Sequence, residues 1–487
     1  WKVSAPTIEH EKEKKRVKYK NAWLEVYDVP IIYFPFFFHP DPTVKKQSGF
    51  LKPVLSSSDL GHALHTPYYF VIAENKDVTF KPRFYNDRKF VAQGEYREVR
   101  EKSETIIDFS STFGHRSNKK LDRKKDTRSH FFSQTNMDLD LDNFTSSSLV
   151  VNVQTVTNDT YLKLFQLEEH DPSGILDANI STLASSIKLN LNHEKYDFEN
   201  NFFIYEALAG SDSDRYEYVI PDYKFSKDLD LKTDLNRRLN FSQSGYHRNY
   251  ATNVKEVSIT NDLSYDSESI YSSIGFVQDY DALFRNTNTQ GEKSTNFRTK
   301  PFHELASSFM YNLKYPMRKD SKNYYNFLTP KFSIKYSPNK TNDMRSEDRR
   351  LNVDNIWAFD RIGSGAGVEE GIPLTVGINY NKVDAESYDT IAEFDLAQVF
   401  RDKRVQNLPN KSTLGRKQSD LVGRFVYNPN RKLKFNYNFS LDNNITQTNY
   451  TQFDTEIRLD NIEGINQVVT KFDFLKEENF IGSASSF

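Results

Sequence analysis

The residues of this sequence that could do chemistry are few and lie far apart. Asp138, Asp140 and Asp142 alternate along the chain and carry the oxygen ligands that a hard cation prefers. The stretch GSGAG at 363–367 is rich in glycine, but it is not flanked by the strand and helix of a phosphate-binding loop. No nucleophile elbow or zinc-binding motif is present. The sequence therefore predicts no catalysis, no cofactor and no bound metal.

Composition excludes several classes of protein. The chain has 487 residues with 38 Phe and 28 Tyr, whereas disordered chains lack aromatic residues. Its 65 Lys and Arg nearly balance its 67 Asp and Glu, so nucleic acid is not an expected partner. There is no cysteine, which excludes disulfides and thiolate metal sites. The chain begins at Trp1 without a signal peptide, and we expect it to be a processed or trimmed product.

The secondary structure around these residues is predicted by an alternation of apolar and polar residues with period two. LKFNYNFSL at 433–441, IKLNLN at 187–192 and MDLDLD at 137–142 all follow it. Because successive strand residues point to opposite faces, each segment predicts a strand with one apolar and one polar face. Long helical patterns are nearly absent, and no run of about 18 apolar residues occurs that could form a transmembrane helix. The sequence predicts an all-β, antiparallel fold.

Strands of this kind fit two architectures. In a soluble sandwich or propeller the apolar faces meet in a dry core, whereas in a membrane barrel they face lipid and the polar faces line a lumen. Segments of about ten residues joined by polar loops of uneven length favour a barrel of roughly twenty or more strands. The absence of a fixed repeat disfavours a propeller. Asp138, Asp140 and Asp142 suit the lining of a lumen, although the solvated face of a sandwich explains them equally.

The beginning of the chain has a different character. Short strand-like segments are followed by a connector that contains Pro30, Pro35 and Pro40, and these prolines predict that no regular strand or helix runs through it. We expect residues 1–45 to be the end of a separate β-domain with a stiff linker. Residues 46–487 would then form the barrel.

Several segments, in order, resemble one known family. WKVSAPTIEH, VPIIYFPFFFHP, SGFLKP and TPYYFVIAENKDVTFKPRFY resemble the beginning of the barrel region in the LptD family (also called OstA or Imp) of outer-membrane lipopolysaccharide-assembly proteins. TKPFHELASSFMYNLKYP resembles a strand from the middle of that barrel. DNIWAFDRIGSGAGVEEGIPLTVGINY resembles a family landmark, carried here by Asp360, Arg361 and Gly363. The likeness extends over nearly the whole chain.

The resemblance implies a barrel that inserts lipopolysaccharide into the outer leaflet of a Gram-negative outer membrane. Residues 1–45 would be the last strands of a periplasmic jellyroll, so the N-terminus would be periplasmic. The implied partners are lipopolysaccharide, outer-membrane lipid, an LptE-like plug lipoprotein, an LptA-like bridge protein and the barrel-assembly machinery. Three departures from the family stand out: we expect most of the jellyroll and the family's final strands to be missing, and no cysteine is present for the disulfides of some members.

The resemblance also gives a meaning to two early prolines. If residues 49–56 and 66–73 are the first two strands, Pro53 and Pro67 match prolines of the family's lateral gate, the seam through which acyl chains leave. Each proline removes a backbone donor from the ladder. Without the resemblance, both would simply mark bulges or strand ends, as Pro82 is expected to do in the third strand. The residues expected at the gate are Gly49, Phe50, Pro53, Pro67, Tyr68 and Tyr69.

Two further expectations concern a loop and the rival functions. Residues 115–130 follow the fifth predicted strand and carry six Lys and Arg between positions 119 and 128, which could contact phosphates of lipopolysaccharide. A solvated loop explains them equally well. The rival functions are a porin or uptake barrel, whose seam would be tightly paired, and a soluble or surface-attached β-rich adhesin, which would need no detergent.

Overall fold

The computed structural model of the protein describes most of the chain. The described residues are 2–26, 29–58, 60–86, 89–115, 126–167, 174–210, 212–229, 237–363, 367–462, 465–477 and 480–486. They contain 31 strands and one short α-helix. The strand pairings within them are antiparallel, for example that of residues 103–115 with 126–138. The predicted all-β, antiparallel class is confirmed.

A small sheet of four strands lies at the beginning of the chain. Its strands are β1 (Lys2–Ser4), β2 (Thr7–Glu11), β3 (Arg16–Val26) and β4 (Val29–Pro40). β3 is central, with β1 and β2 paired to one of its edges and β4 paired to the other. The order of the strands follows from the length of β3, which is long enough to pair with β1 and β2 end to end.

The position of β4 corrects a prediction. Pro30, Pro35 and Pro40 were expected to prevent a regular strand, but β4 stays paired with β3 from Val29 to Pro40. β4 pairs with a single strand among the described residues, so the N–H groups on its other side are not needed for the ladder and proline is tolerated. Opposite Pro35, Asn21 adopts a left-handed φ of 52° and the pairing is interrupted locally.

The larger sheet holds 27 strands, in agreement with the predicted twenty or more. Its first strands are β5 (Gly49–Phe50), β6 (Val54–Ser58), β7 (Gly61–His65), β8 (Tyr68–Ala73), β9 (Lys76–Phe80), β10 (Arg83–Tyr85), β11 (Phe90–Arg100), β12 (Ser103–His115), β13 (Asp126–Asp138), β14 (Ser146–Val156), β15 (Thr182–His193) and β16 (Tyr196–Ala207). The helix α1 (Tyr161–Phe165) lies between β14 and β15.

The remaining strands continue to the end of the chain. They are β17 (Tyr216–Leu229), β18 (Arg237–Tyr250), β19 (Val254–Ser267), β20 (Ile270–Tyr271), β21 (Val277–Glu292), β22 (Phe302–Lys314), β23 (Met317–Asp320), β24 (Tyr324–Tyr336), β25 (Leu374–Asp384), β26 (Thr390–Phe400), β27 (Leu421–Asn430), β28 (Leu433–Leu441), β29 (Thr448–Ile462), β30 (Ile465–Glu477) and β31 (Phe480–Ser486). Short 3-10 turns lie at Asp212–Asp214 and Asn410–Ser412.

The chain divides into two compact units. The first contains Trp1–Glu194, Phe198–Tyr223 and His247–Lys255, and the second contains Lys195–Asp197, Lys224–Tyr246 and Glu256–Phe487. In the first unit, β11 to β15 pair in chain order. In the second unit, β24 to β31 do the same.

In the first unit, the two faces of the sheet have opposite character. Phe70, Phe80 and Phe109 are exposed on one face, whereas Glu95 and Asp108 are buried on the other. A soluble sandwich would bury the aromatic face, because removing apolar surface from water is favourable. The exposed apolar face and covered polar face are the arrangement expected for strands in lipid.

Loop segments cover the polar faces and form small cores there. In the first unit, α1 contributes Tyr161, Leu162 and Phe165 to a buried cluster with Phe132 of β13 and Tyr85 of β10. In the second unit, residues 344–362 and 405–414 pack against residues of β26 and β27. In each unit, the buried core therefore fixes loop residues against strands of the larger sheet.

The acidic triplet is placed differently from the prediction. β13 ends at Asp138, so the strand predicted through 137–142 is wrong. Asp140 takes a left-handed φ of 45°, which aspartate tolerates. Its N–H donates to the Asp138 carboxylate over 3.0 Å, and its own carboxylate is exposed and pairs with Lys102. Asp140 and Asp142 thus belong to a turn rather than to the polar face of a strand.

Candidate functional site: a row of interrupted strands

Three prolines lie where the first three strands of the larger sheet are interrupted. Pro53 falls between β5 and β6, Pro67 between β7 and β8, and Pro82 between β9 and β10. On one side of the breaks, His65 faces both Val54 and Arg83. On the other side, Tyr68 faces both Phe50 and Phe80. The three breaks therefore form one row across neighbouring strands, which we call the proline row.

Backbone pairing across the proline row is thin. The Leu51 N–H donates to the Pro67 carbonyl over 2.9 Å, and the Thr66 N–H donates to the Pro82 carbonyl over 3.3 Å. The register between the first two strands also changes by one residue across the break, from Phe50 opposite Tyr68 to Val54 opposite His65. Proline has no N–H to donate. An interrupted strand therefore forms fewer backbone hydrogen bonds with the neighbouring strand than a continuous strand would.

The predicted strands 49–56 and 66–73 need correction. Neither is continuous, and the second begins at Gly61 instead of residue 66. Ser56 lies in β6, and its hydroxyl bonds the Nε2 atom of His65 at 2.7 Å. The segment from Gly61 to His65 alternates in burial, with Ala63 and His65 covered and Leu64 exposed. Pro82 ends a strand segment, where a bulge was expected.

A cavity of about 760 Å³ opens beside the proline row. Its apolar lining comes from the breaks themselves: Leu51, Pro53, Val54, Leu55 and Pro67. Its polar lining is mostly cationic: Lys52, His65, Tyr69, Thr79, Lys81, Arg83 and Arg97. A cavity with an apolar wall and a basic wall matches a molecule that has both an apolar and an anionic part.

The basic wall is ordered by buried carboxylates. Lys81 donates to Glu95 over 2.6 Å, and Arg97 donates to Asp77 over 2.9 Å. The Tyr69 hydroxyl also donates to Asp77, over 3.0 Å. These bonds fix the rotamers of the cations, because a charge buried away from water is retained only when it is paired.

The outer side of the first break is aromatic and open. Phe50 is 79% exposed and Leu55 is 78% exposed. The rings of Phe50 and Tyr68 meet edge to face with their centroids 4.9 Å apart, and Tyr68 also contacts Phe70 at 4.5 Å. Of the expected gate residues, Gly49, Phe50, Tyr68 and Tyr69 are therefore brought together: Gly49 faces Tyr69 in the ladder.

A serine, a histidine and an aspartate meet behind the cavity, a group that the sequence did not reveal. Ser110 Oγ lies 2.6 Å from His130 Nδ1, and His130 Nε2 lies 2.9 Å from Asp108. The order of contacts resembles a hydrolase triad, but all three residues are at most 3% exposed and Ser110 also bonds the Tyr161 hydroxyl. The group joins strands and helix as a buried polar network. Ser110 and His130 face each other only through the register of β12 and β13.

The family landmark lies in the second unit and organises a loop there. Arg361 is buried and donates to Glu369 over 2.7 Å and to the Thr375 hydroxyl over 2.8 Å. Asp360 accepts the N–H of Gly363, whose φ of 63° is a left-handed conformation. These residues fix the long connection between β24 and β25. The basic loop lies mostly outside the described residues, since 116–125 are among the gaps.

Comparisons with known proteins agree on one family. A family model described as "LptD protein" matches residues 17–228, and one described as "LPS transport system D" matches residues 126–468. None of the described helices has the length and apolar character needed to cross a membrane.

Individual relatives carry the same name. The LPS-assembly protein LptD of Pseudomonas aeruginosa strain LESB58 is 24% identical over 464 residues, covering 85% of this chain and 47% of that protein. That of Psychrobacter cryohalolentis is 24% identical over 419 residues, covering 79% of this chain and 40% of that protein. The chain thus spans about half the length of these relatives or less. The siderophore receptor PiuA of Acinetobacter baumannii matches 89% of this chain and 78% of its own at 8% identity, but its TM-score of 0.24 carries no argument.

Proposed function

The chain belongs to the LptD family, and we propose that it inserts lipopolysaccharide into the outer leaflet of the outer membrane. The observation that carries the proposal is the proline row beside an amphipathic cavity. Lipopolysaccharide has acyl chains and phosphate groups on one molecule, so it needs both walls of that cavity. No catalytic step is proposed for this chain.

The architecture we propose is a transmembrane barrel. Residues 46–487 form it, with the exposed aromatic face toward lipid and the polar face toward a lumen, because lipid tolerates only strands whose backbone groups are all paired. Residues 1–45 form the end of a periplasmic jellyroll together with its connection to the barrel. The small sheet, which is separate from the larger one, supports this boundary.

The route we propose for the lipid is a lateral gate at the proline row. Thin pairing at Pro53 and Pro67 lets the first strands separate from their neighbours with few hydrogen bonds lost. The sugars pass along the polar face while the acyl chains leave past Phe50 and Tyr68 into the membrane. Tyr69 and Gly49 complete the gate on the first two strands.

The proposed partners follow from this location. The N-terminus lies in the periplasm and receives lipopolysaccharide from an LptA-like bridge protein. An LptE-like lipoprotein fills the lumen, and the barrel-assembly machinery inserts the chain among the outer-membrane lipids. A porin or uptake barrel, or a β-rich adhesin, is not favoured, because the relatives that match most of the chain are named for lipopolysaccharide assembly.

Photocrosslinking in cells tests the substrate and the route together. A photoreactive amino acid at Phe50 or at Tyr68 is expected to crosslink lipopolysaccharide, because both rings lie on the outer side of the first break. The matched control is Phe109, an aromatic residue with 49% exposure on the continuous strand β12. Equal crosslinking at all three positions would contradict a gate at the proline row, and no crosslinking at any would contradict lipopolysaccharide as the substrate.

A further inference from the structure

The segment that follows β14 is fastened to the strand that carries one side of the proline row. Residues 161–167, which we call the α1 segment, comprise helix α1, Gln166 and Leu167. Tyr161, Leu162, Phe165 and Leu167 are each at most 2% exposed. They are buried against the polar side of the sheet in the first unit. The α1 segment therefore covers the strands next to the breaks.

Arg83 of β10 holds the end of this segment. Its Nη1 atom donates to the carbonyls of Phe165 and Gln166 over 3.2 and 2.7 Å, and its Nη2 atom donates to the carbonyl of Leu167 over 2.9 Å. The last carbonyls of a helix have no partner within the helix and need an outside donor. A guanidinium supplies several donors in a fixed plane, so one side chain satisfies three consecutive carbonyls.

Tyr85, two residues further along β10, strengthens the same attachment. Its hydroxyl donates to the Phe165 carbonyl over 3.2 Å, and its ring meets the Phe165 ring edge to face at 5.7 Å. At the other end of the α1 segment, the Tyr161 hydroxyl bonds Ser110 of β12. Burial raises the pKa of Tyr161 to about 12, so this hydroxyl stays neutral at physiological pH.

Arg83 also belongs to the site at the breaks. It follows Pro82 directly, faces His65 across the ladder and lines the cavity. Ala63 of β7 and Tyr85 of β10 are both buried in the cluster that contains the α1 segment. A displacement of β10 relative to β7 would therefore disturb the packing of the α1 segment.

We propose that Arg83 is a positioning residue that latches the α1 segment to the third strand and so keeps the proline row closed. Release of the latch is required before the row can part. This inference rests on the proposed function for its consequence in transport, but the latch itself is a property of the folded chain. In this proposal, one buried arginine couples the α1 segment to the interrupted strands.

Cysteine chemistry tests the latch without reference to transport. The chain has no cysteine, so Leu162→Cys gives a single thiol, buried in the closed state. In the purified, folded protein, Arg83→Met is expected to raise the maleimide labelling rate at this thiol at least tenfold. The control Arg285→Met removes a partly buried strand arginine, one that pairs with Asp262, and should leave the rate unchanged. An unchanged rate in Arg83→Met would overturn the latch.

A milder variant guards against loss of the fold. Tyr85→Phe removes one hydrogen bond to the α1 segment and retains the ring, so it should raise the labelling rate at Leu162→Cys by about two- to fivefold. If Arg83→Met does not fold, this variant decides alone, and an unchanged rate overturns the latch.

A covalent lock tests the consequence for transport. The double variant Tyr85→Cys with Phe165→Cys, joined by a short bismaleimide or by oxidation, should stop lipopolysaccharide delivery, and reduction of the oxidised pair should restore it. Normal delivery by the locked protein would overturn the coupling. If the protein without these two substitutions delivered no lipopolysaccharide, the proposed function would fail, while the labelling experiment would still decide on the latch.

Discussion

At the scale of single residues, charge is buried only where several partners share it. Glu369 is buried and accepts hydrogen bonds from Arg361 and from Arg401, with Lys335 at 3.8 Å. Burial lowers the pKa of Arg361 to about 9, so its guanidinium stays charged at neutral pH. One carboxylate thus compensates several cations, and its loss would leave them uncompensated.

Replacing this carboxylate should cost much stability. Glu369→Gln is expected to lower the free energy of unfolding by about 3–5 kcal/mol, the usual effect of removing one partner of a buried ion pair. Urea unfolding in detergent, followed by the loss of heat-resistant migration in gels, measures it. Asp320→Asn breaks the exposed pair with Arg318 and should cost about 0–1 kcal/mol. Similar losses in both variants would contradict the central role of Glu369.

At the scale of elements, a strand is defined as much by its neighbours as by its own residues. β4 contains three prolines and stays paired along one edge, whereas the first three strands of the larger sheet are each interrupted at one proline. In β4 the prolines meet a single partner among the described residues. In the proline row the breaks at Pro53 and Pro67 face each other, so neither strand compensates there for the donors that the other lacks. The break at Pro82 has the continuous strand β11 on its other side.

Restoring those donors should close the row more tightly. The double variant Pro53→Ala and Pro67→Ala offers two backbone N–H groups, each worth about 0.5–1.5 kcal/mol. Lipopolysaccharide delivery is expected to slow about tenfold while folding and membrane insertion continue. Appearance of newly made lipopolysaccharide at the cell surface measures the rate. Pro330→Ala, in the continuous strand β24, is the control, and an undiminished rate in the double variant would refute the gating role of the prolines.

At the scale of the whole molecule, the exposed aromatic residues indicate that the protein requires an apolar environment. Phe50, Phe113 and Phe284 are each more than 60% exposed, and patches of this kind are not left in contact with water by soluble proteins. In the first unit the exposed aromatic residues lie on one face of the sheet, and the buried clusters of both units are small.

The need for detergent follows directly. In detergent micelles the purified protein is expected to elute as a single species, and on dilution below the critical micelle concentration it should aggregate because the apolar face becomes exposed to water. Size-exclusion chromatography with light scattering measures the change. A single monodisperse species in plain buffer would instead favour the soluble adhesin.

Local sequence patterns were enough to predict the fold class, many of the strands and the family. The alternation in LKFNYNFSL gives strand β28 with the same bounds, Leu433–Leu441, because the period of a strand is a local property of the chain. The likeness to LptD in the early segments agrees with the match to the family models. Local patterns failed where a side chain accepts a hydrogen bond from a backbone N–H, as in the turn at Asp138 and Asp140.

Which residues become neighbours could be learned only from the tertiary structure. Pro53, Pro67 and Pro82 form a row only because their strands pair in particular registers, and register depends on which face is buried and on the turns between the strands. Arg83 reaches carbonyls 82 to 84 residues away, a contact that no local pattern can contain. The sequence specifies which residues can donate, accept or break a ladder, but pairing decides which of them meet.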